Sequence, residues 1–300
     1  MSSGEPSAGG ARSEPTPLRE MTREQWKAVA GAVYSRFGEI QITDRAATLA
    51  YYGFLSLFPA LIVAVALLAL FGSYPDTYNS IIDTLQEAAP GPAVDTIDSG
   101  LRDVLRNSGS AGRLLGIGLV AALVSATGAT GAAIRSLDVI NGRSGRGVVR
   151  SRVAQLLLTL ALMALLFLAF TALLLAGPLF SSIADAAGLE ASSRSLISAL
   201  RYPVGLAALL AALLLLYWRG PAGPKRRPLE HLPGALLAAA LWVIASIGFS
   251  IYVSYFSSYD ATYGALGAVI VLLIWLFVGN LALLIGALAN RELRRVREKN

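Results

Sequence analysis

The chain has 300 residues, of which 55% are hydrophobic and only 15% charged, with a formal net charge of +6 and no cysteine. A water-soluble domain carries roughly a quarter charged residues, so this composition excludes an ordinary soluble fold. Without thiols there is no disulfide, cysteine nucleophile or thiolate metal site, and the single histidine, His231, excludes a histidine cluster.

Residues 1–20 are rich in Ser, Gly, Pro and charge and read as a disordered cytoplasmic tail without the apolar core of a secretory signal. Thr22 and Gln25 have the spacing of a capping box. Behind them Trp26, Val29, Ala30, Val33, Phe37 and Ile40 recur every three or four residues. This predicts an amphipathic helix that lies in the membrane interface or packs on other helices.

Six charge-free apolar runs follow, at residues 46–71, 114–134, 153–179, 202–218, 232–256 and 263–289. A hydrocarbon core about 30 Å thick takes roughly 17–25 helical residues to cross. None of the runs alternates with period two, which disfavours a β-barrel. The expected fold is therefore all-α, a polytopic membrane bundle of six transmembrane helices occupying residues 21–292, with a basic tail at 293–300.

Between the first two runs lies the largest polar segment, carrying Asp76, Asp83, Glu87, Asp95, Asp98 and Asp103. Tyr78, Ile81, Ile82 and Leu85 form one helical stripe, and Val94, Ile97, Leu101, Val104 and Leu105 another. Pro90-Gly91-Pro92 divides them. The segment reads as a periplasmic helical hairpin over 73–112.

Charge sets the orientation. Basic residues crowd the N-terminal segment (Arg12, Arg19, Arg23, Lys27, Arg36, Arg45), the second and fourth loops (Arg135 to Arg152, Arg219 to Arg227) and the tail (Arg291 to Lys299). Taking alternate segments together, twenty of the 25 Lys and Arg residues fall on one side. The positive-inside rule makes that side cytoplasmic and puts both termini there. The expected location is a bacterial inner membrane, crossed several times.

Within the runs, Pro59 removes one backbone donor and is placed to kink the first span near Leu55–Ser56, beside Tyr51, Tyr52, Phe54 and Phe58. Such a segment either lines a cavity or packs on neighbouring helices. The second span is rich in small residues, and Gly118–Ala122 and Gly128–Ala132 have the spacing that lets helices approach closely. Tyr252, Tyr255, Tyr259 and Tyr263 surround the last outer turn. Gly264, Trp275, Asn280 and Gly286 follow in the sixth span, where Asn280 is expected to bond across helices. The candidate cavity or packing residues are thus Tyr51, Tyr52, Pro59, Gly128, Gly264, Trp275, Asn280 and Gly286.

The run Ala46-Ala47-Thr48-Leu49-Ala50-Tyr51-Tyr52-Gly53-Phe54-Leu55-Ser56-Leu57-Phe58-Pro59, with Tyr263-Gly264-Ala265-Leu266, Trp275 and Leu284-Ile285-Gly286-Ala287, resembles the YihY/virulence factor BrkB family, once labelled ribonuclease BN. The resemblance covers about residues 25–292. It departs at Ser136-Leu137-Asp138, where the family often has Ala-Leu-Asn, and at Gly286-Ala287-Leu288, where it often has Gly-Ala-Glu. The resemblance implies a six-helix inner-membrane protein with an envelope role, including transport of lipid or lipopolysaccharide precursors. It also implies that the ribonuclease label is a misassignment.

Two functional classes remain. One is a transporter or flippase-like protein for lipid or other amphipathic cargo. The other is an envelope-integrity or assembly scaffold that transports nothing. A ribonuclease would need clustered carboxylates or histidines for metal ions, or a positioned acid and base, and the cytoplasmic loops offer only scattered Asp138, Glu230 and His231. The chain is therefore expected not to be an enzyme. Membrane lipids are its expected partners, with no nucleic acid, metal or cofactor.

Overall fold

A computed structural model describes residues 20–71, 108–143, 148–174, 191–224, 227–256 and 260–298. The tail at 1–19 and nearly all of the expected hairpin at 73–112 lie outside the described residues. Among those described, secondary structure is entirely helical, with no strand.

α1 spans Arg23–Glu39 and opens on a complete capping box: the Thr22 hydroxyl accepts from the Gln25 backbone N–H, and the Gln25 side chain accepts from the Thr22 backbone N–H. Those bonds satisfy two of the four donors that a helix start leaves open. Gln41, with φ of 50°, makes the turn into α2, Ile42–Phe71. α3 is Ser108–Ile140, α4 is Val148–Leu174 and α5 is Ala191–Arg219. A short 3-10 turn at Pro228–His231 leads into α6, Leu232–Phe256, and α7 runs 38 residues over Asp260–Arg297.

Four helical stretches among the described residues are long and apolar enough to cross a membrane: Leu115–Ile140, Arg152–Ala169, Pro228–Tyr252 and Val269–Arg297. A shorter apolar stretch is Pro203–Arg219. Several helices outrun their apolar runs. α3 continues through Arg135 and Asp138, α5 starts well before residue 202 with Arg194 and Arg201 inside it, and α7 carries the basic tail to Arg297 in helical form. A charged residue ends an apolar run but need not end a helix, because the backbone ladder continues wherever side chains can reach water. α2 likewise stays one helix through buried Pro59.

The long helices pack as a ring. α2 pairs with α3, α4 with α5 and α6 with α7, and contacts of α2 with α7, α3 with α4 and α5 with α6 close the circuit. α1 lies outside the ring against α7. Its Val33 and Phe37, with Ile40 just past its end, pack on the core, while Tyr34 faces outward.

The buried core gathers where helix ends converge. It contains Ile42, Ala46 and Leu49 from the start of α2, and Leu137 and Ile140 from the end of α3. Ala235 and Ala238 at the start of α6 meet Leu284 and Leu288 late in α7. The start of α2 and the ends of α3, α5 and α7 therefore share one end of the bundle, which brings the four basic segments together. Away from the core the helices are inverted relative to a soluble protein. Ile117, Val120 and Val124 are each about two-thirds exposed and share one face of α3, as do Ile244, Ile247 and Ile251 on α6. Continuous apolar stripes of this kind are stable facing hydrocarbon, not water.

Candidate functional site

At the basic end the backbones of α6 and α7 touch. A Cβ on Gly286 would overlap the Gly234 carbonyl and come within 2.7 Å of the Ala238 Cβ and 2.8 Å of the Tyr217 hydroxyl. Both positions therefore require glycine. Asn290, 2% exposed, bridges the contact: its Oδ1 accepts from Gly234 N–H at 2.8 Å and its Nδ2 donates to the His231 carbonyl at 2.9 Å. The buried Tyr217 hydroxyl donates to the Leu283 carbonyl at 2.6 Å, tying α5 to α7.

The loops at this end are fastened to the same helix ends. Asp138 Oδ1 accepts from the Ala222 N–H at 2.6 Å, and Arg143 donates to the Ala222 carbonyl. Gly223, with φ of +101°, turns the chain under the Arg143 guanidinium. From α7, Arg291 donates to the Ile140 carbonyl and Arg294 to Asn141 Oδ1 at 2.6 Å. Charge-assisted bonds to carbonyls thus close the end of α3, where helical acceptors are left open.

Further along the same helix pair, toward the opposite end, a groove of about 310 Å³ opens between α6 and α7. Trp242 and Trp275 meet edge to face at its base, with ring centroids 5.9 Å apart. Gly279 leaves room for them, since a Cβ there would lie 3.2 Å from the Trp242 ring. Phe249, Tyr252 and Ile274 complete an apolar wall. The Ser246 hydroxyl is a polar point in it, and its buried oxygen has no hydrogen-bond partner.

The residues singled out from sequence divide between these places. Trp275 lines the groove and Gly286 forms the α6–α7 contact. Tyr52 packs on Gly128, 3.5 Å from where a Cβ would stand, so these two join α2 to α3. Tyr51, 58% exposed, shares an outward face with Leu55 and Phe58. Pro59 is buried within α2, and Gly264 lies in the first turns of α7. Asn280 corrects the expectation of a bond across helices: its Nδ2 donates to the Leu276 carbonyl of its own helix at 2.8 Å. A carbonyl four residues back is within reach of a short amide in any helix, and that bond competes with an interhelical one. Asn290, ten positions further on, is the cross-helix amide. Its burial depends on the register of α6 against α7, which the sequence does not show. The His231 imidazole is buried, and among the described residues no three His, Asp or Glu side chains converge as a metal site.

The sequence profile of the virulence factor BrkB family matches residues 33–300. The chain belongs to this family. Among curated relatives, the ribonuclease-like protein YfkH of Bacillus subtilis is 32% identical over 270 residues, covering 88% of this chain and 94% of YfkH. A UPF0761 membrane protein of Alkalilimnicola ehrlichii is 30% identical over 85% of this chain, which spans only 56% of that relative's length. Another, from Pseudoalteromonas translucida, is 27% identical over 82% of this chain and 79% of its own. No solved structure matches. The BrkB membership and the apolar helices together make this a membrane protein.

Proposed function

We propose that this BrkB-family protein crosses a bacterial inner membrane six times with its basic end in the cytoplasm, and that it handles an amphipathic envelope component whose acyl chain enters the α6–α7 groove. The observation that carries the reading is the groove itself. It is apolar, open at the side and formed by two adjacent helices in the membrane-crossing part of the fold. Its volume of about 310 Å³ is at the lower end of small-ligand sites, roughly 300–1,000 Å³. It suits one chain of a lipid better than a whole one. The reading is non-enzymatic: Asp138 Oδ1 accepts from a backbone N–H, and the His231 side chain is buried.

Purified protein in proteoliposomes tests this. Fluorescent lipid analogues should cross between leaflets faster than in protein-free vesicles. Gly248→Trp, at the mouth of the groove, should slow them while leaving the unfolding temperature in place. No acceleration with any of a broad set of lipids would overturn transport.

A second reading, an envelope scaffold that moves nothing, is favoured by the fastening of the basic end. Glycine contact, Asn290 bridge and arginine clamps join α3, α5, α6 and α7 at one point. A scaffold predicts stable protein partners on purification and absence of flux in the same vesicles.

A further inference from the structure

A second cavity lies apart from the groove. It is a cleft of about 620 Å³ between α1 and the last turns of α7, lined by Glu24, Gln25, Ala28, Glu292 and Arg295 among others. Glu292 is 1% exposed, and its carboxylate is held by three guanidinium groups. Arg36 and Arg291 each place Nε 3.6 Å from Oε1, and Arg295 places Nη1 3.8 Å from Oε2. At those distances Oε1 has charge compensation but no hydrogen-bond partner. A buried oxygen in that condition is destabilising unless a donor reaches it. The cleft beside it is large enough to admit one.

The signs of charge narrow the donor. Glu24 and Glu292 line the cleft as acceptors, and Arg295, with half its side chain exposed, supplies the cation. A simple anion would meet the Glu24 and Glu292 carboxylates, and a simple cation would meet the Arg295 guanidinium. A ligand bearing a phosphate and an ammonium a few bonds apart satisfies both. Depth points to the source. Glu292 to Val296 lie three to seven residues past the apolar run that ends at residue 289, or about 5–10 Å along a helix. Headgroup layers extend a bilayer from about 30 Å to about 40–45 Å, so this cleft sits at headgroup level.

We propose that the α1–α7 cleft binds an aminophospholipid headgroup, its phosphate on Arg295 and its primary ammonium on the Glu24 and Glu292 carboxylates. The site pins α1 to the bundle through a lipid, whether or not the groove carries cargo.

Native mass spectrometry of the full-length protein in detergent tests this with phosphatidylethanolamine, phosphatidylcholine and phosphatidylglycerol at equal concentration. Phosphatidylethanolamine should be retained selectively, and soluble phosphoethanolamine should displace it while inorganic phosphate does not. Glu24→Gln and Arg295→Gln, both at exposed positions, should each weaken retention about tenfold or more, the effect of losing one charge-assisted contact. Ala28→Leu should do the same by filling the cleft. Glu292→Gln removes a buried charge and risks misfolding, so the exposed pair carries the test. Equal retention of the three lipids, displacement by phosphate alone, or undiminished selectivity in all three variants overturns the proposal.

Discussion

Two asparagines ten positions apart on α7 show how much depends on which face a residue occupies. Asn280 donates to its own helix, whereas Asn290 joins two backbone groups of another segment at the buried end. Removing the Asn280 amide should cost about 1 kcal/mol or less, since Leu276 keeps its helical partner. Asn290→Ala should cost more, about 1–3 kcal/mol for each buried group left unpaired, on Gly234 and His231. Thermal unfolding in detergent should therefore rank Asn290→Ala well below Asn280→Ala, and equal midpoints would refute the bridge. Gly286→Ala belongs with the severe changes, because a Cβ there overlaps the neighbouring backbone and overpacking costs about 1–3 kcal/mol. Asp138 makes a finer test. Its Oδ1 accepts from Ala222, a role that an asparagine oxygen also fills. Asp138→Asn should unfold near the parent temperature and Asp138→Ala clearly below it. A loss in Asp138→Asn as large as in Asp138→Ala would mean that the negative charge, not the acceptor, is what matters.

Among the described elements, the existence of helices was legible and their limits were not. The apolar runs were visible because a bilayer demands uninterrupted hydrophobic length, and the α1 start was visible because a capping box is a local pattern. The α1 cap is correspondingly testable. Thr22→Ala should cost about 1 kcal/mol, read as faster amide exchange over the first turn of α1 with α7 unchanged. If exchange there does not change, the cap contributes nothing to holding the helix start. Helix limits escaped the sequence because they follow backbone hydrogen bonding. Arg135 and Asp138 continue α3 and Arg291 to Arg297 continue α7, although charge marks these places as loop or tail. The contacts that define the site escaped for another reason. Gly234 meets Gly286, and Tyr217 reaches Leu283, over sequence separations at which a single chain gives no pairing signal. Trp275 was identifiable as a large aromatic in a spanning helix, but its partner Trp242 and the groove they floor required the α6–α7 register.

For the molecule as a whole, the ring of helices converts a statistical rule about charge into a geometric one. The N-terminal segment, the second and fourth loops and the tail are all rich in arginine, and the ring places the adjoining helix ends together. By the positive-inside rule, the proposed orientation puts that basic end on the cytoplasmic side. The absence of cysteine makes this directly measurable, because any introduced thiol is then unique. Arg227→Cys and Glu298→Cys are exposed at the basic end. In intact cells a membrane-impermeant maleimide should leave both unlabelled, and it should label both after the inner membrane is permeabilised. Asp98→Cys, in the acidic segment assigned to the outside, should react in intact cells. Arg227 and Glu298 reacting on opposite sides would break the ring. Asp98 reacting together with them would mean that the intervening helices do not cross the bilayer an odd number of times. The labelling pattern thus tests the packing and the membrane orientation separately, and the headgroup-level cleft and the lateral groove keep their proposed depths only if both hold.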